Sequence, residues 1–154
     1  MSFTIAPESP LQDDVRALAQ ALNAYAHALT PAEFCHHMTV EQMAQPDTIV
    51  FVARNVDGAA VGMGALRRHA GAVGEVKRMF VAPQARGCGL GGAILSQIEQ
   101  RARAEGLTRL VLETGANFDA ARRVYERGGF VTREAVLDYP ASPWNAFYER
   151  YLSA

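Results

Sequence analysis

A run of four glycines within six residues separates an apolar strand pattern from an amphipathic helix pattern. The segment reads Val81-Ala82-Pro83-Gln84-Ala85-Arg86-Gly87-Cys88-Gly89-Leu90-Gly91-Gly92. Because glycine has no Cβ, successive backbone N–H groups in such a turn can converge on one point, and the helix that follows directs its positive dipole end there. The pattern predicts a phosphate cradle whose natural occupant is a pyrophosphate.

A glycine-rich turn of this kind could belong to a dinucleotide-binding fold. Gly87, Gly89 and Gly92 fit G-x-G-x-x-G, and Glu113 follows about 20 residues later, where a ribose-binding acid would lie. However, the preceding strand 75–81 carries three charges in seven residues, whereas a central parallel strand is nearly all apolar. Only about 60 residues follow the turn, too few for the remaining units of a doubly wound domain. We therefore disfavour this fold.

The Gcn5-related N-acetyltransferase (GNAT) family offers a closer match. Its acetyl-CoA signature, Q/R-x-x-G-x-G/A, resembles Gln84–Gly89, and Ala120–Phe130 resembles the family segment A-x-x-x-Y-x-x-x-G-F. Residues 62–66 and 74–81 are similar to the third and fourth strands of small bacterial members. The resemblance covers nearly the whole chain.

This resemblance implies an α/β (α+β) fold with a GNAT topology. We expect a mixed, mostly antiparallel sheet of six to seven strands, about four helices, and splayed central strands that bind acetyl-CoA. At 154 residues, the chain is expected to form a single domain over residues 1–154.

Composition narrows the range of partners. With 49% hydrophobic residues, 20% charged residues and a net charge of −1, the chain has neither the basic excess of a nucleic-acid binder nor the bias of a disordered protein. No apolar run approaches the ~20 residues of a membrane span, and no leader pattern is present. We expect a cytoplasmic protein with no nucleic-acid or membrane partner, whose Cys35 and Cys88 are free thiols and which binds no metal.

Capping residues and hydrophobic periodicity predict where the helices and strands lie. Asp13 and Asp14 open a helix that ends at Thr30-Pro31, and Thr39 with Gln42 forms a capping box. Asn117 or Asp119 is predicted to cap the helix that contains Tyr125. The predicted strands lie at residues 3–6, 48–54, 60–67, 75–81, 108–113, 130–136 and 145–152. The last of these strands is a candidate for pairing across a two-fold axis in a homodimer.

The resemblance also implies cofactor contacts, most of them with the backbone. Unpaired N–H and C=O groups of Met79 and Val81 would dock the pantetheine arm as an extra strand, and the glycine turn would take the pyrophosphate with Arg86 adding charge. Many members carry Asn or Gln seven residues before the tyrosine, where this chain has Phe118, so Asn117 is the nearest substitute. The expected cofactor-binding residues are Met79, Phe80, Val81, Arg86, Gly87, Cys88, Gly89, Leu90, Gly91, Gly92, Asn117 and Tyr125. Cys88 is not expected to act as a nucleophile, because no histidine is placed to activate it.

Amide formation from a thioester requires a base for the amine and an acid for the departing thiolate. The resemblance places Tyr125 at the CoA sulfur as that acid. Two carboxylates are candidate bases: Glu75, within the charged strand, and Glu113, at the end of the next strand. The sequence leaves the choice between them nearly even and slightly favours Glu75, because an acid beside Lys77 and Arg78 within a sheet otherwise needs an explanation. A substrate amine of modest pKa would need no base.

The acceptor is the least constrained partner. Residues 25–38 and 137–144 would form its site, with Glu33 or Asp138 holding an ammonium and Arg67, Arg68 or Arg78 a carboxylate. His36 and His37 are expected to be solvated loop residues. We expect direct acetyl transfer to the primary amine of a small molecule or amino acid; a protein N-terminus or lysine, and a non-catalytic acyl-CoA sensor, remain alternatives.

Overall fold

The computed structural model describes residues 2–35 and 37–152. Its strands are β1 (Thr4–Pro7), β2 (Thr48–Arg54), β3 (Ala60–His69), β4 (Val73–Val81), β5 (Arg109–Gly115), β6 (Val131–Arg133) and β7 (Asn145–Tyr151). All seven belong to one sheet in the order β1-β2-β3-β4-β5-β7-β6. Among the described strand pairs only β4 and β5 run parallel, so the predicted mixed, mostly antiparallel sheet is confirmed.

Four α-helices accompany the sheet in the described part of the chain: α1 (Asp13–Leu29), α2 (Val40–Met43), α3 (Leu90–Ala104) and α4 (Asp119–Arg127). The predicted capping box is confirmed, because Thr39 Oγ1 accepts from the Gln42 N–H and the Gln42 side chain accepts from the Thr39 N–H. Single 3₁₀ turns occur at Ala32–Phe34 and Pro83–Ala85. None of the described helices is long and apolar enough to cross a membrane.

The helices cover both faces of the sheet because side chains alternate along each strand. On β2, Val50 and Val52 pack against α1, while Phe51 and Ala53 pack on the opposite face with α3. The inner residues Ile94 and Ile98 of α3 are fully buried. The three-layer arrangement fixes the start of α3 next to the end of β4, where the glycine turn lies.

The central strands diverge. β4 and β5 are in register only from Val73, opposite Arg109, to Glu75, opposite Val111. Beyond this point β4 continues to Val81 and β5 to Gly115 without further pairing to each other. The predicted splay is therefore present, and it opens a gap in the sheet.

A β-bulge adds to this irregularity. Between β3 and β4 the register shifts, so that Arg78 and Met79 together oppose the single residue Gly64. Arg78 adopts φ 55°, a conformation that is uncommon for a residue with a side chain. A Cβ on Gly64 would lie 2.5 Å from the Met79 sulfur, so the glycine permits the close approach that the bulge requires.

Three local expectations were wrong. The N-cap of α4 is Phe118, which makes no side-chain cap hydrogen bond, rather than Asn117 or Asp119. β7 lies between β5 and β6 and pairs with β6 over residues 147–149, so it is not the free edge strand that the expected pairing across a two-fold axis requires. The predicted strand 130–136 shortens to three residues and takes the sheet edge instead.

Candidate active site

Two cavities meet where β4 and β5 separate. The large cleft, of about 860 Å³, follows the end of β4, the glycine turn and α4, and is of the size that holds small-molecule ligands. The small cavity, of about 110 Å³, lies between the splayed strands, the end of α1 and the loop before β7. They share the side chains of Leu22, Met79, Phe118, Ala121 and Tyr125. Tyr125 therefore faces both cavities.

The glycine turn has the geometry expected of an anion cradle. Gly87 and Gly89 adopt φ of 83° and 80°, which residues with a Cβ rarely reach. Gly89 is the N-cap of the 15-residue helix α3 and offers no side chain to its first N–H groups. A Cβ at Gly92 would meet no atom within 4 Å. Open space therefore adjoins these glycines beside the positive end of a helix dipole, and the turn fits a pyrophosphate.

Arg86 and Cys88 differ in orientation. The Arg86 Nε donates to the Val81 carbonyl at 2.9 Å, and its guanidinium lies 5.6 Å from the Tyr25 ring centroid and 5.5 Å from that of Phe80. The expectation of an unpaired Val81 C=O was therefore wrong, because Arg86 occupies it. The Cys88 thiol points back to the Ala85 carbonyl at 2.9 Å and does not line the cleft.

Asn117 does not line either described cavity. Its Nδ2 donates to the Leu29 carbonyl at 3.3 Å and so links the start of α4 to the end of α1. Phe118 lines both cavities instead, with its ring 5.1 Å from Tyr25 in an edge contact. The Asn117 amide is thus turned toward α1, and Phe118 occupies the position beside the two cavities.

Tyr125 is buried, with 6% of its surface exposed, and packs against Phe130 and Tyr148 at centroid distances of 6.0 Å. Burial raises the pKa of the Tyr125 hydroxyl well above its usual range, with the nearby Tyr148 as a smaller contribution. The hydroxyl makes no hydrogen bond with any other residue that the structure describes. It is therefore a protonated donor directed at the junction of the cavities.

The two candidate bases occupy different environments. Glu113 is half-buried, lines the small cavity, and accepts a hydrogen bond from Asn145 Nδ2 at 2.9 Å through Oε2. Glu75 is 1% exposed and lines neither described cavity. The structure thus brings Glu113 and Tyr125 together on one cavity and separates Glu75 from them.

Glu75 belongs to a buried polar cluster. Its Oε1 lies 2.8 Å from His69 Nε2, and its Oε2 accepts from the Tyr139 hydroxyl at 2.6 Å and lies 3.2 Å from Lys77 Nζ. Burial, together with the hydrogen bond to Glu75, raises the pKa of Tyr139. These contacts satisfy both carboxylate oxygens, as a buried carboxylate requires.

Arg78 contributes a half-buried positive charge to the wall of the small cavity. Its Nη2 donates to the Ala19 carbonyl at 3.1 Å and to Asn23 Oδ1 at 2.5 Å, while Nε is buried and has no partner among the described residues. Burial lowers the pKa of the Arg78 guanidinium to about 10. It forms no ion pair within the described part of the chain, so its charge is not neutralised there.

The other charged residues expected at the acceptor site lie elsewhere. Arg67 is 3.2 Å from Asp47, and Arg68 forms an ion pair with Glu105. Glu33 and Asp138 are exposed and do not line the small cavity. Trp144, from the expected segment 137–144, lines the small cavity, as do Lys77 and Asn145, which the sequence did not indicate. Asn145 is 32 residues from Glu113, so no local pattern could have linked the two.

Comparison with known proteins agrees with this geometry. The profile of the Acetyltransferase (GNAT) family matches residues 16–130. An IAA acetyltransferase of Azospirillum brasilense is 43% identical over 98% of this chain and 99% of its own length. The crystal structure of a protein assigned as an acyl-CoA N-acyltransferase from Klebsiella pneumoniae has a TM-score of 0.86 at 33% identity, covering 98% of both chains. The chain belongs to the GNAT family and is an N-acetyltransferase.

More distant members share the fold. The PaiA N-acetyltransferase of Thermoplasma acidophilum, solved with coenzyme A, has a TM-score of 0.76 at 16% identity and covers 99% of this chain and 100% of its own. The expected family and fold are therefore confirmed.

Proposed function

We propose that this protein transfers the acetyl group of acetyl-CoA directly to the primary amine of a small acceptor, with both substrates bound together. The observation that carries the proposal is the position of Tyr125, whose side chain faces both the large cleft and the small cavity. A reaction at this junction has a donor molecule on one side and an acceptor on the other, so no covalent enzyme intermediate is needed.

The large cleft is the proposed acetyl-CoA site. The pyrophosphate would be held by N–H groups of Gly87–Gly92, since these amides surround the start of α3. The pantetheine arm would extend along Met79–Val81, where β4 has left β5 and an extended ligand can occupy the gap. This path would bring the thioester close to Tyr125.

The chemistry then follows from the residues at the junction. Glu113 removes a proton from the acceptor ammonium, directly or through a water, and the neutral amine attacks the thioester carbonyl carbon. The tetrahedral intermediate collapses with cleavage of the C–S bond, and the Tyr125 hydroxyl protonates the departing thiolate. The amide nitrogen gives its second proton to the Tyr125 oxygen, which restores the phenol, and the proton on Glu113 passes to solvent. Because burial favours the neutral phenol, Tyr125 holds its proton until the thiolate forms.

Of the two carboxylates, we assign the role of base to Glu113. The Glu75 oxygens are engaged by His69, Lys77 and Tyr139, and deprotonating a substrate would require breaking that cluster. Glu113 lines the small cavity, and the hydrogen bond that its Oε2 accepts from Asn145 Nδ2 at 2.9 Å orients it there.

The charges of the small cavity favour an acceptor that carries a carboxylate as well as an amine. Arg78 has no ion-pair partner among the described residues, and in this half-buried setting its charge stabilises an anion more strongly than it would in water. An amino acid or a related amino-carboxylate supplies both an ammonium for Glu113 and an anion for Arg78.

The first experiment measures free-thiol release from acetyl-CoA with a panel of amines, amino acids and short peptides. We expect turnover with a small amino-carboxylate and a lower rate with its decarboxylated analogue. Turnover with peptides alone would favour a protein acceptor, and acetyl-CoA binding without thiol release from any acceptor would indicate a sensor.

The same assay separates the candidate bases. Glu113→Gln should lower kcat by about 10² or more, as expected when a general base is removed. Glu75→Gln is the matched variant, because it keeps the shape of the side chain and alters only the buried cluster. Equal losses of kcat in the two variants, each measured on protein that melts like the wild type, would refute the assignment of Glu113.

A further inference from the structure

Three potential metal ligands meet at the rim of the small cavity. His27 lies in the last turn of α1, Cys35 follows the 3₁₀ turn Ala32–Phe34, and His37 comes shortly afterwards. The chain reverses direction between α1 and this loop, which brings residues ten positions apart face to face. The sequence spacing alone predicts no metal site and predicts that His36 and His37 are solvated. His36 lies outside the described residues.

The distances match the needs of a single ion. The two Nε2 atoms of His27 and His37 are 3.2 Å apart, and their rings are inclined at 76° with centroids 5.0 Å apart. The ligand atoms of His27, Cys35 and His37 all lie within 4.8 Å of one another. Tetrahedral Zn²⁺ with the usual Zn–N and Zn–S bonds requires ligand separations of about 3.3 to 3.6 Å. Small side-chain rotations would close the remaining difference.

A hydrogen bond between the two imidazoles explains only part of this arrangement. It would account for the contact between His27 and His37 but not for the presence of the Cys35 thiol beside them. The thiol's own contacts are long, at 3.7 Å to the Thr30 carbonyl and 3.6 Å to the Pro31 carbonyl. A site with two imidazoles and one sulfur suits a borderline-soft divalent cation.

We propose that His27, Cys35 and His37 form a three-ligand Zn²⁺ site at the rim of the small cavity. Three protein ligands leave the fourth tetrahedral position open for a water or another small ligand. Cys35 and His37 line the same cavity as Glu113 and Tyr125, so the bound ion would occupy space next to the proposed acceptor position. Zn²⁺ would thereby join the end of α1 to the loop and oppose acceptor binding.

The binding test uses the whole chain and Zn²⁺ alone, in competition with a chromophoric chelator. We expect one ion per chain. Cys35→Ser, His27→Ala and His37→Ala should each weaken binding by at least about tenfold. His69→Gln and Cys88→Ser are matched controls, since each removes one imidazole or thiol outside the cluster, and they should leave the affinity unchanged.

Co²⁺ provides a spectroscopic readout that no purely structural role would produce. The wild type should show a thiolate-to-cobalt charge-transfer band, which Cys35→Ser should abolish and Cys88→Ser should retain. The proposal would be overturned if the wild type failed to bind Zn²⁺, if the three cluster variants bound it as tightly as the wild type, or if the band depended on Cys88.

The regulatory effect rests on the proposed function and is measured separately. Micromolar Zn²⁺ should raise the KM of the wild type for its acceptor without raising that for acetyl-CoA, and Cys35→Ser should be resistant. If Zn²⁺ binds without this change in KM, the proposed metal site stands but its effect on acceptor binding is refuted. Absence of any acetyl transfer would refute the proposed function and leave the binding result standing.

Discussion

Among the five described residues that line both cavities, Tyr125 is the one that carries a hydroxyl. Removing only its hydroxyl should leave the ring packed between Phe130 and Tyr148. We expect Tyr125→Phe to lower kcat by about 10² because the thiolate then leaves without its proton donor, while the affinity for acetyl-CoA changes less than about twofold. Steady-state kinetics measures the fall in kcat, and calorimetry measures the affinity for acetyl-CoA.

A parallel fall of kcat and acetyl-CoA affinity in Tyr125→Phe would identify Tyr125 as a packing residue. Tyr148→Phe offers a comparison, because Tyr148 is also buried but its hydroxyl accepts from Arg122 Nε at 2.9 Å and donates to Glu126 at 2.6 Å, away from the junction. Its loss should reduce thermal stability more than kcat.

The roles of single carboxylates could not be predicted from the sequence. Glu75 and Glu113 are both acids near a strand end or start, and nothing in the local pattern says which side chain enters a cavity. The choice depends on His69, Lys77 and Tyr139, which surround Glu75 only after β3, β4 and the loop before β7 have come together. Long-range packing, not local propensity, determines such burial.

At the scale of elements, the glycine turn and α3 act as one unit. Gly89→Glu should abolish acetyl-CoA binding, because it places a carboxylate beside the amides proposed to hold the pyrophosphate and adds a side chain at φ 80°. Calorimetric titration with acetyl-CoA measures the loss.

Gly71→Glu is the matched control for backbone strain. Gly71 adopts φ 79° with open space around its Cβ position, but it lies in the turn between β3 and β4. Both variants should lose similar stability, whereas Gly71→Glu should bind acetyl-CoA normally. Unaltered affinity in Gly89→Glu would refute the assignment of the turn.

A second pair of elements, β3 and α3, is joined by Glu105. Its carboxylate accepts from Arg68 on β3 and from Arg101 on α3, and the Arg68 hydrogen bond chiefly lowers the Glu105 pKa from 4.5 to about 2. Because the folded-state pKa is below the unfolded one, this stabilisation is complete above pH 4.5 and is lost as the pH falls toward 2.

Glu105→Gln should therefore destabilise the protein at pH 7 by about 1 kcal/mol, the upper range for an exposed pair. The difference from the wild type should shrink as the pH falls below 4.5. Urea unfolding at pH 7 and at several acidic values measures it. Glu33→Gln is the control, because Glu33 is exposed and forms no ion pair with a described residue. A difference independent of pH would contradict the role of the Glu105 charge.

At the scale of the whole molecule, ligand binding couples the cleft to global stability. Acetyl-CoA at about 100 times its Kd should stabilise the protein by about 2.7 kcal/mol and raise its melting temperature accordingly. NADH and ATP at the same concentration should give smaller shifts, since neither carries a pantetheine arm to fill the gap between β4 and β5. A larger shift with NADH would contradict the assignment of the large cleft.

The sequence by itself determined the features that depend on neighbours within one or two turns of chain. These are the strand-to-helix glycine turn at 87–92, the capping box at Thr39, the amphipathic helices, and the GNAT resemblance that they carry. Backbone conformation and helix capping are local, so they can be read from adjacent residues.

Only the tertiary structure decided what long-range contacts control. It placed β7 inside the sheet, turned the Asn117 amide toward Leu29, buried Glu75 while directing Glu113 into the small cavity, and brought His27, Cys35 and His37 together. Each of these depends on segments that are distant in sequence and meet only when the sheet has assembled. The physical reason is that strand order and side-chain burial minimise the free energy of the whole chain, and no local pattern encodes them.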